Sequence, residues 1–194
     1  MMLKKVYAHF DEEGVYVYQA FKPATVKFAV ENGTFGKGFG LDRITWIKPS
    51  LGWMLRRSEY ASKHRMEAIA KIKLSHEAWI EILSQSIETH WNPSLFSVED
   101  DWKQKLDKSD VIHQWDPERD LQGKRLERQA IQIGIRGEVI KKYVQEYITG
   151  VEDITALALK IGEIVKKRGS KFPEVPEEKE YPFSDELKRK LGYN

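Results

Sequence analysis

Two kinds of hydrophobic periodicity alternate along this chain without a repeating order. Alternation of polar and apolar residues with period two, typical of β-strands, occurs in the runs 5–10, 15–21 and 67–74. Helical periodicity occurs in two long stretches, 139–148 and 154–165. Because hairpins are mixed with helices rather than arranged in regular strand–helix–strand units, the sequence predicts an α+β fold. We expect a mixed, mainly antiparallel sheet with several packed helices.

Individual residues indicate where several of these elements begin or end. Ser50 is a preferred N-cap residue and predicts a short helix after an extended segment over 42–47. Apolar residues over 111–115 and 129–135 predict two further strands. Asp116 is followed by proline, a pair typical of turns, so a charged loop is expected to begin there.

The length of the chain is enough for one domain. Its 194 residues can bury a substantial core, which we expect to span residues 1–169. Residues 170–194 are expected to form a Pro/Glu-rich C-terminal tail. Three prolines and four glutamates fall within residues 170–183, where they disfavour helix, sheet and burial. This stretch is therefore predicted to pack poorly against the domain.

The composition excludes several classes of site. The chain contains no cysteine, which rules out disulfides, thiolate metal ligands and a cysteine nucleophile. Its five histidines are scattered without ligand-like spacing, so no metal site is expected. Neither a signal-peptide core nor an apolar stretch of membrane-spanning length is visible, which predicts a cytoplasmic protein with no membrane partner. The residues indicate neither a particular cofactor nor an oligomeric state.

The net charge of +2 is small, so any electrostatic signal must be local, and one segment carries it. Between Arg43 and Arg65 there are six Lys/Arg residues against one acid, with two tryptophans interleaved. Cations neutralise phosphate and aromatic faces stack on bases, so this pattern favours a nucleotide or a nucleic acid. Alternatively, the tryptophans belong to the core and the arginines form a solvated face. The candidate ligand-binding residues here are Arg43, Thr45, Trp46, Lys48, Ser50, Trp53 and Arg57.

Lys48 is the strongest of these candidates. It precedes Pro49, which restricts it to an extended conformation. Ser50 then begins a helix whose free N–H groups attract negative charge. We therefore expect Lys48 to bind an anion; the alternative is a lysine that lies along the surface or pairs with a nearby acid.

A second polar motif, Gln114–Arg119, follows one of the predicted strands. Within it, Asp116 and Glu118 are candidate catalytic carboxylates, and Gln114 and Arg119 are candidate ligand-binding residues. Alternatively, Asp116 caps a turn and Glu118 pairs with Arg119.

Two further polar side chains lie within predicted strands. Tyr18 offers a phenol as a third catalytic candidate, unless its strand face is simply an amphipathic outer face. Gln132 lies in an apolar strand and needs a hydrogen-bond partner, which favours a satisfied core amide over a ligand contact.

Four strings of residues carry a resemblance to a known family. They are Val-Tyr-Gln-Ala at 17–20, the segment from Arg43 to Ser58, Gln-Trp-Asp-Pro-Glu-Arg at 114–119 and Ile-Gln-Ile-Gly at 131–134. Over about residues 4–167 the chain resembles the domain-of-unknown-function family 4291. The resemblance implies no activity, cofactor or partner, so the residues alone carry the functional argument.

The first hypothesis is an enzyme directed at a nucleotide or nucleic acid, with a basic-aromatic cleft that binds phosphate. ADP-ribosyl transfer is one conceivable form of it, although the long helices after Arg136 disfavour that fold. The alternatives are a non-catalytic module that binds RNA or DNA and a protein-interaction domain. A closed cleft that joins Lys48 to Asp116 favours the enzyme, whereas an open, flat basic face favours the module.

Overall fold

The fold is known from a computed structural model, which describes residues 2–194. Strands and helices are interspersed along the chain. Within the described residues the elements are β1 Leu3–Lys4, β2 Tyr7–Ala8, β3 Gly14–Phe21, α1 Pro23–Asn32, β4 Thr45–Ile47, α2 Leu51–Arg57, β5 Ala68–Ser75, α3 His76–Gln85, β6 Ile87–Glu88, α4 Glu99–Lys108, β7 Val111–Arg119, β8 Arg125–Ile135, α5 Gly137–Lys142, β9 Ile148–Asp153, α6 Thr155–Lys166, β10 Lys179–Glu180 and α7 Asp185–Lys190.

The strands form two principal sheets and one short pair. The larger sheet has the order β1-β8-β7-β6, and β4 also pairs with β8. The second sheet has the order β3-β5-β9, and β2 pairs with β10. The long ladders are antiparallel, whereas the β1–β8 and β6–β7 pairs are parallel. The predicted α+β fold with a mainly antiparallel sheet is confirmed.

Several helices begin or end at residues suited to that position, among them Ser50, the predicted cap of α2. Pro23 occupies the first position of α1, and Gly33 ends it with a φ of 70°, which glycine adopts without strain. Ser50 caps α2, because its hydroxyl oxygen accepts a hydrogen bond from the backbone N–H of Trp53. Ser75 caps α3 in the same way through the N–H of Ala78. Local residue chemistry therefore determines these boundaries.

The predicted loop at Asp116 is wrong, because β7 continues through the Asp-Pro pair to Arg119. A register shift between Pro117 and Arg119 accommodates the proline, which has no N–H to donate to the ladder. The chain turns only afterwards, where the Asp120 carboxylate accepts the N–H groups of Gln122 and Lys124. Asp116 is consequently a strand residue rather than a turn cap.

The helix predicted over 139–148 also ends early. The α-helix α5 stops at Lys142, a single π-helical turn covers Tyr143–Tyr147, and β9 begins at Ile148. Residues 148–151 contain three β-branched residues and one glycine, and they pair with β5 instead of continuing the helix. The missed strand completes the second sheet.

The second sheet is covered by apolar side chains on both faces. Val15 and Val17 contribute to the larger core cluster, which also contains the apolar face of α3. Tyr18 points the other way, into a second cluster formed with α2 and α6. Its side chain is 1% exposed, so it belongs to a core rather than to an outer face or a cleft.

The prediction of a poorly packed C-terminal tail is wrong for residues 181–191. Tyr181, Phe183, Leu187 and Leu191 are buried in the larger core cluster. The indole of Trp115 donates a hydrogen bond of 3.0 Å to the carbonyl of Leu191. Prolines keep residues 170–183 out of helices, but an extended chain can still insert its aromatic side chains into a core. Residues 181–191 therefore pack with the domain, whereas residues 170–180 are half-buried or exposed.

Within residues 2–194, no helix has both the length and the apolar character needed to cross a bilayer.

Candidate functional site

A cavity of about 870 Å³ lies where the larger sheet meets α2 and the segment between β3 and α1. Lys48 and Asp116 both line it, although they are far apart in sequence. Arg43 and Gln114 line it as well. The structure thus brings the two polar motifs of the sequence to one concave site whose size suits a small-molecule ligand.

The alternation of strand residues explains this convergence. Gln114 and Asp116 are two residues apart on β7, so their side chains lie on the same face of the sheet. Gln132 on β8 stands directly opposite Gln114 in the antiparallel ladder. Lys48 lies one residue beyond the last β4–β8 pair, Ile47 with Ile133. A polar row therefore crosses three neighbouring strands on one sheet face, while the isoleucines between them face the core.

The cavity lining is strongly positive. It contains five Lys/Arg side chains and one carboxylate, which belong to Lys22, Arg43, Lys48, Arg57, Arg65 and Asp116. Since the whole chain carries a net charge of only +2, this excess is a local property of the cavity. Such a concave, cation-lined surface attracts anionic ligands.

Lys48 is the most perturbed of these cations. The residue is 9% exposed, and its Nζ donates a hydrogen bond of 2.8 Å to the carbonyl of Trp46. Burial and the charge of Arg57 lower the pKa of Lys48 to about 7, against a smaller opposing effect of Asp116. Near neutral pH the group therefore exists as both ammonium and free amine, and it can both donate and accept a proton.

Aromatic rings flank the charged groups. Trp46 and Trp53 both line the cavity, as does Phe21. The Nζ of Lys48 lies 5.4 Å from the centroid of the Trp53 ring, within the range of a cation–π interaction. Neither tryptophan is fully buried, so each presents a ring surface on which a planar ligand could stack.

Gln19 holds the edge of the site together. It is 2% exposed, and its amide nitrogen donates to Thr45 Oγ1 at 2.9 Å and to the Trp46 carbonyl at 3.2 Å. Its amide oxygen accepts a hydrogen bond of 2.8 Å from the hydroxyl of Tyr143. This network fixes the backbone of β4 and also occupies the Thr45 hydroxyl, so Thr45 has a positioning role at the cavity wall.

Gln132 contrasts with Gln19. It is 1% exposed, yet neither its amide nitrogen nor its amide oxygen has a hydrogen-bond partner among residues 2–194. The expected satisfied core amide is therefore not found. Across the ladder, Gln114 donates its amide nitrogen to the two Asp116 carboxylate oxygens, at 3.2 and 3.3 Å, instead of to Gln132.

Four predicted site residues lie outside the main cavity, and three of them, Glu118, Ser50 and Tyr18, have structural roles. Glu118 is 2% exposed, and its carboxylate accepts hydrogen bonds from the Ser50 hydroxyl at 2.5 Å and the Arg119 backbone at 2.8 Å. Burial raises the pKa of Glu118. Ser50 is occupied by this contact and by capping α2. Tyr18 lies in the second core cluster, where burial raises its pKa. None of the three is positioned to contact a ligand in the cavity.

The expected anion site at the start of α2 is also wrong. This helix is only seven residues long, and its first N–H, that of Leu51, donates a hydrogen bond of 2.6 Å to the Glu178 carboxylate. Burial and the nearby Glu118 raise the pKa of Glu178 to about 8. The C-terminal segment thus occupies the helix terminus, and anion attraction must come from the cationic side chains of the cavity.

Arg119 belongs to a neighbouring concavity. It lines a second cavity of about 260 Å³ that shares Trp53, Arg57 and Asp116 with the first. Its guanidinium also donates a hydrogen bond of 3.3 Å to the carbonyl of Gly123, which stabilises the turn between β7 and β8. The basic surface therefore continues beyond the main cavity.

Several cavity residues were not selected from the sequence as ligand contacts. Lys22 immediately precedes α1, and Arg65 and Met66 follow α2. Arg65 ends the cationic run already visible in the sequence, but only folding shows which members of that run face the cavity. The position of Gln132 within an apolar strand already marks it in the sequence as a polar residue in need of a partner, and the structure places it in the cavity lining. Among residues 2–194, no three His, Asp or Glu side chains cluster closely enough to hold a metal ion.

One family model matches the chain. The family, described as a domain of unknown function (DUF4291), matches residues 5–181. Because this match covers most of the sequence, the chain belongs to that family. None of the curated proteins compared with the chain matches it.

Proposed function

We propose that this DUF4291 protein is an enzyme that acts on a nucleotide or on a nucleotide unit of a nucleic acid, bound in the main cavity. The single observation that carries the proposal is the composition of that cavity. Five cations, one carboxylate and two tryptophans surround about 870 Å³, a volume that fits a nucleotide-sized ligand.

The cations supply the phosphate-binding part of the site. Arg43 and Arg57 carry guanidinium groups, which form paired hydrogen bonds to phosphate oxygens. Lys22 and Arg65 add further positive charge around the same space. A ligand with two or three phosphates would neutralise this excess, whereas a neutral ligand would leave the cations close together and uncompensated.

The tryptophans supply the base-binding part. Trp46 and Trp53 come from β4 and α2, on either side of Lys48 in the sequence, and both contribute to the lining. Stacking of a base on an aromatic ring contributes about 1–3 kcal/mol. Rings and cations together favour a ligand that contains both a planar heterocycle and phosphate.

Lys48 and Asp116 supply the groups for chemistry. A lysine whose pKa is about 7 exchanges protons efficiently at neutral pH, unlike an ordinary lysine. Asp116 lies in the same cavity and favours the ammonium form of Lys48 through its negative charge. We assign proton transfer to Lys48 and the orientation of a ligand hydroxyl or amine to Asp116.

A non-catalytic module that binds RNA or DNA is the second candidate. It is favoured by the second cavity, which adds Arg56, Lys63 and Arg119 to the basic surface beside Trp53. A single strand could place one nucleotide in the main cavity and the next in the smaller one.

The test compares nucleotides with single-stranded oligonucleotides in equilibrium titrations of the wild type, Arg57→Ala and Arg189→Ala. Arg189 is exposed on α7 and does not line the cavity, so its substitution removes the same charge elsewhere. We expect nucleotide binding that weakens with added salt and in Arg57→Ala, but not in Arg189→Ala. Tighter binding of oligonucleotides, without any conversion of a nucleotide substrate detected by phosphorus NMR, would favour the module. If neither ligand class binds, the proposal is wrong.

A further inference from the structure

Gln132 is a buried amide whose nitrogen and oxygen both lack a hydrogen-bond partner among residues 2–194. Other side chains, such as Trp79 and His113, also have a buried nitrogen without a partner, but they do not line the main cavity. It lies in the middle of β8, is 1% exposed and lines the main cavity. An amide buried without partners costs about 1–3 kcal/mol relative to one that is hydrogen-bonded. Such a group in a native protein calls for an explanation, and for one that lines a cavity a bound ligand is the natural candidate.

Gln19 shows what a structural glutamine looks like at the same site. It lines the same cavity, but both ends of its amide are hydrogen-bonded, to Thr45, Trp46 and Tyr143. Gln132 has neighbours that could have satisfied it in the same manner. Gln114 stands directly opposite, yet it turns its amide nitrogen to Asp116. The donor and the acceptor of Gln132 therefore both remain for a bound molecule.

We propose that Gln132 reads the edge of an adenine base, so that the ligand of the main cavity is an adenine nucleotide. This inference rests on the proposed nucleotide function. A glutamine amide matches adenine with two hydrogen bonds, because its oxygen accepts from the exocyclic amine and its nitrogen donates to the adjacent ring nitrogen.

The neighbours of Gln132 favour an amine-bearing base over one with a carbonyl at that position. The Asp116 carboxylate lies on the same sheet face and can only accept hydrogen bonds when ionised. Gln114 uses its amide nitrogen on Asp116, which leaves its oxygen as an acceptor. An exocyclic amine has two hydrogens for the oxygens of Gln132, Gln114 and Asp116 in this row. A carbonyl oxygen at that position would have to accept from the Gln132 amide nitrogen or from the Lys48 ammonium, which is already bonded to the Trp46 carbonyl.

The rest of the cavity agrees with this placement. The tryptophans lie beside the row and offer surfaces for the ring, and Arg43, Arg57 and Arg65 lie around the same space for the phosphates. Gln132 is thus a specificity residue, and the cations are responsible for general affinity.

The experiment compares ATP with inosine triphosphate, which replaces only the exocyclic amine by a carbonyl. Equilibrium titrations use the wild type, Gln132→Leu and, as a control, Gln104→Leu on the exposed face of α4. A bidentate base contact discriminates by about 1–3 kcal/mol, so the wild type and the control should prefer ATP by about 5- to 150-fold. Gln132→Leu should bind both nucleotides equally, at an affinity close to that of the wild type for inosine triphosphate.

Thermal unfolding separates a ligand-reading role from a structural one. If the amide has no partner in the protein, Gln132→Leu should keep or raise the Tm, because an apolar side chain then replaces an unsatisfied polar group. A Tm lower by several degrees would show that the amide supports the fold and would overturn the inference. Equal affinities of the wild type for the two triphosphates, or a preference that survives in Gln132→Leu, would overturn it as well while leaving nucleotide binding intact. If the wild type binds no nucleotide, the proposed function itself fails.

Discussion

Lys48→Met tests the electrostatics of the cavity through the stability of the fold, which can be measured without knowing the substrate. Methionine keeps an unbranched side chain of similar length, but it carries no charge and titrates nowhere. Lys48 is buried beside Arg57, with its ammonium bonded to the Trp46 carbonyl. Removing it should therefore stabilise the folded protein at neutral pH, although it removes a residue of the proposed site.

The magnitude follows from the pKa of Lys48. Burial lowers it from 10.5 to about 7 in the folded protein, whereas the unfolded chain keeps the ordinary value. Between these two values the unfolded state binds more protons, so the stability of the wild type rises with pH. At 1.36 kcal/mol per pKa unit, burial of the charged Lys48 lowers the free energy of unfolding by at most about 5 kcal/mol below about pH 7. Roughly 2 kcal/mol of that cost disappears between about pH 7 and 9.

Urea unfolding from about pH 6 to about pH 9 measures this difference. Lys48→Met should exceed the wild type in free energy of unfolding by the largest amount at the acidic end, and the gap should narrow by roughly 2 kcal/mol towards pH 9. Lys37→Met, at an exposed position, should show no such trend. A gap that stays constant with pH would refute the reasoning, because it would mean that Lys48 is solvated and titrates as an ordinary lysine.

Three further outcomes follow from the packing and the charges. Truncation after Gly169 should lower the free energy of unfolding in urea by several kcal/mol or prevent folding, because each buried aromatic or leucine side chain of the removed segment contributes about 1.5–3 kcal/mol. An unchanged urea midpoint would show that the segment does not contribute to the core. Ser50→Ala should cost about 1–2 kcal/mol in the same assay, since it removes the cap of α2 and a hydrogen bond to the buried Glu118, whereas Ser62→Ala at the surface should cost little. Arg57→Gln should raise the pKa of Lys48, observed by NMR of the side-chain amine; an unchanged titration would show that Arg57 is too far away to matter.

The sequence predicted the fold best where local chemistry decides the structure. Pro23, Ser50 and Ser75 determine helix starts through their own backbone or hydroxyl groups, and the sequence predicts the helix that begins after Ser50. The turn expected at Asp116 and the helix expected through Ile148 were wrong because sheet pairing overrode local preference. Pairing with the next strand, β8, holds the Asp-Pro pair in extended form, and pairing with the distant β5 does the same for the β-branched run of β9.

The candidate site shows the same division. The cationic-aromatic density around Lys48 and the polar motif around Asp116 were visible, and the two meet at one cavity. The structural role of Glu118 could not be predicted from the sequence, because it depends on a hydrogen bond from Ser50, 68 residues away. Likewise, only the three-dimensional arrangement shows that Gln19 is satisfied and Gln132 is not. Residue type identifies the chemistry that is available, while long-range packing decides which groups remain free to use it.

The central claim is that an adenine nucleotide occupies the cavity between the larger sheet and α2. A crystal structure of the protein grown with saturating ATP tests it most directly. We predict that the phosphates contact Arg43 and Arg57 and that the adenine edge lies within hydrogen-bonding distance of Gln132. A nucleotide bound elsewhere on the protein, or a main cavity that stays empty at saturating ATP, would contradict the claim.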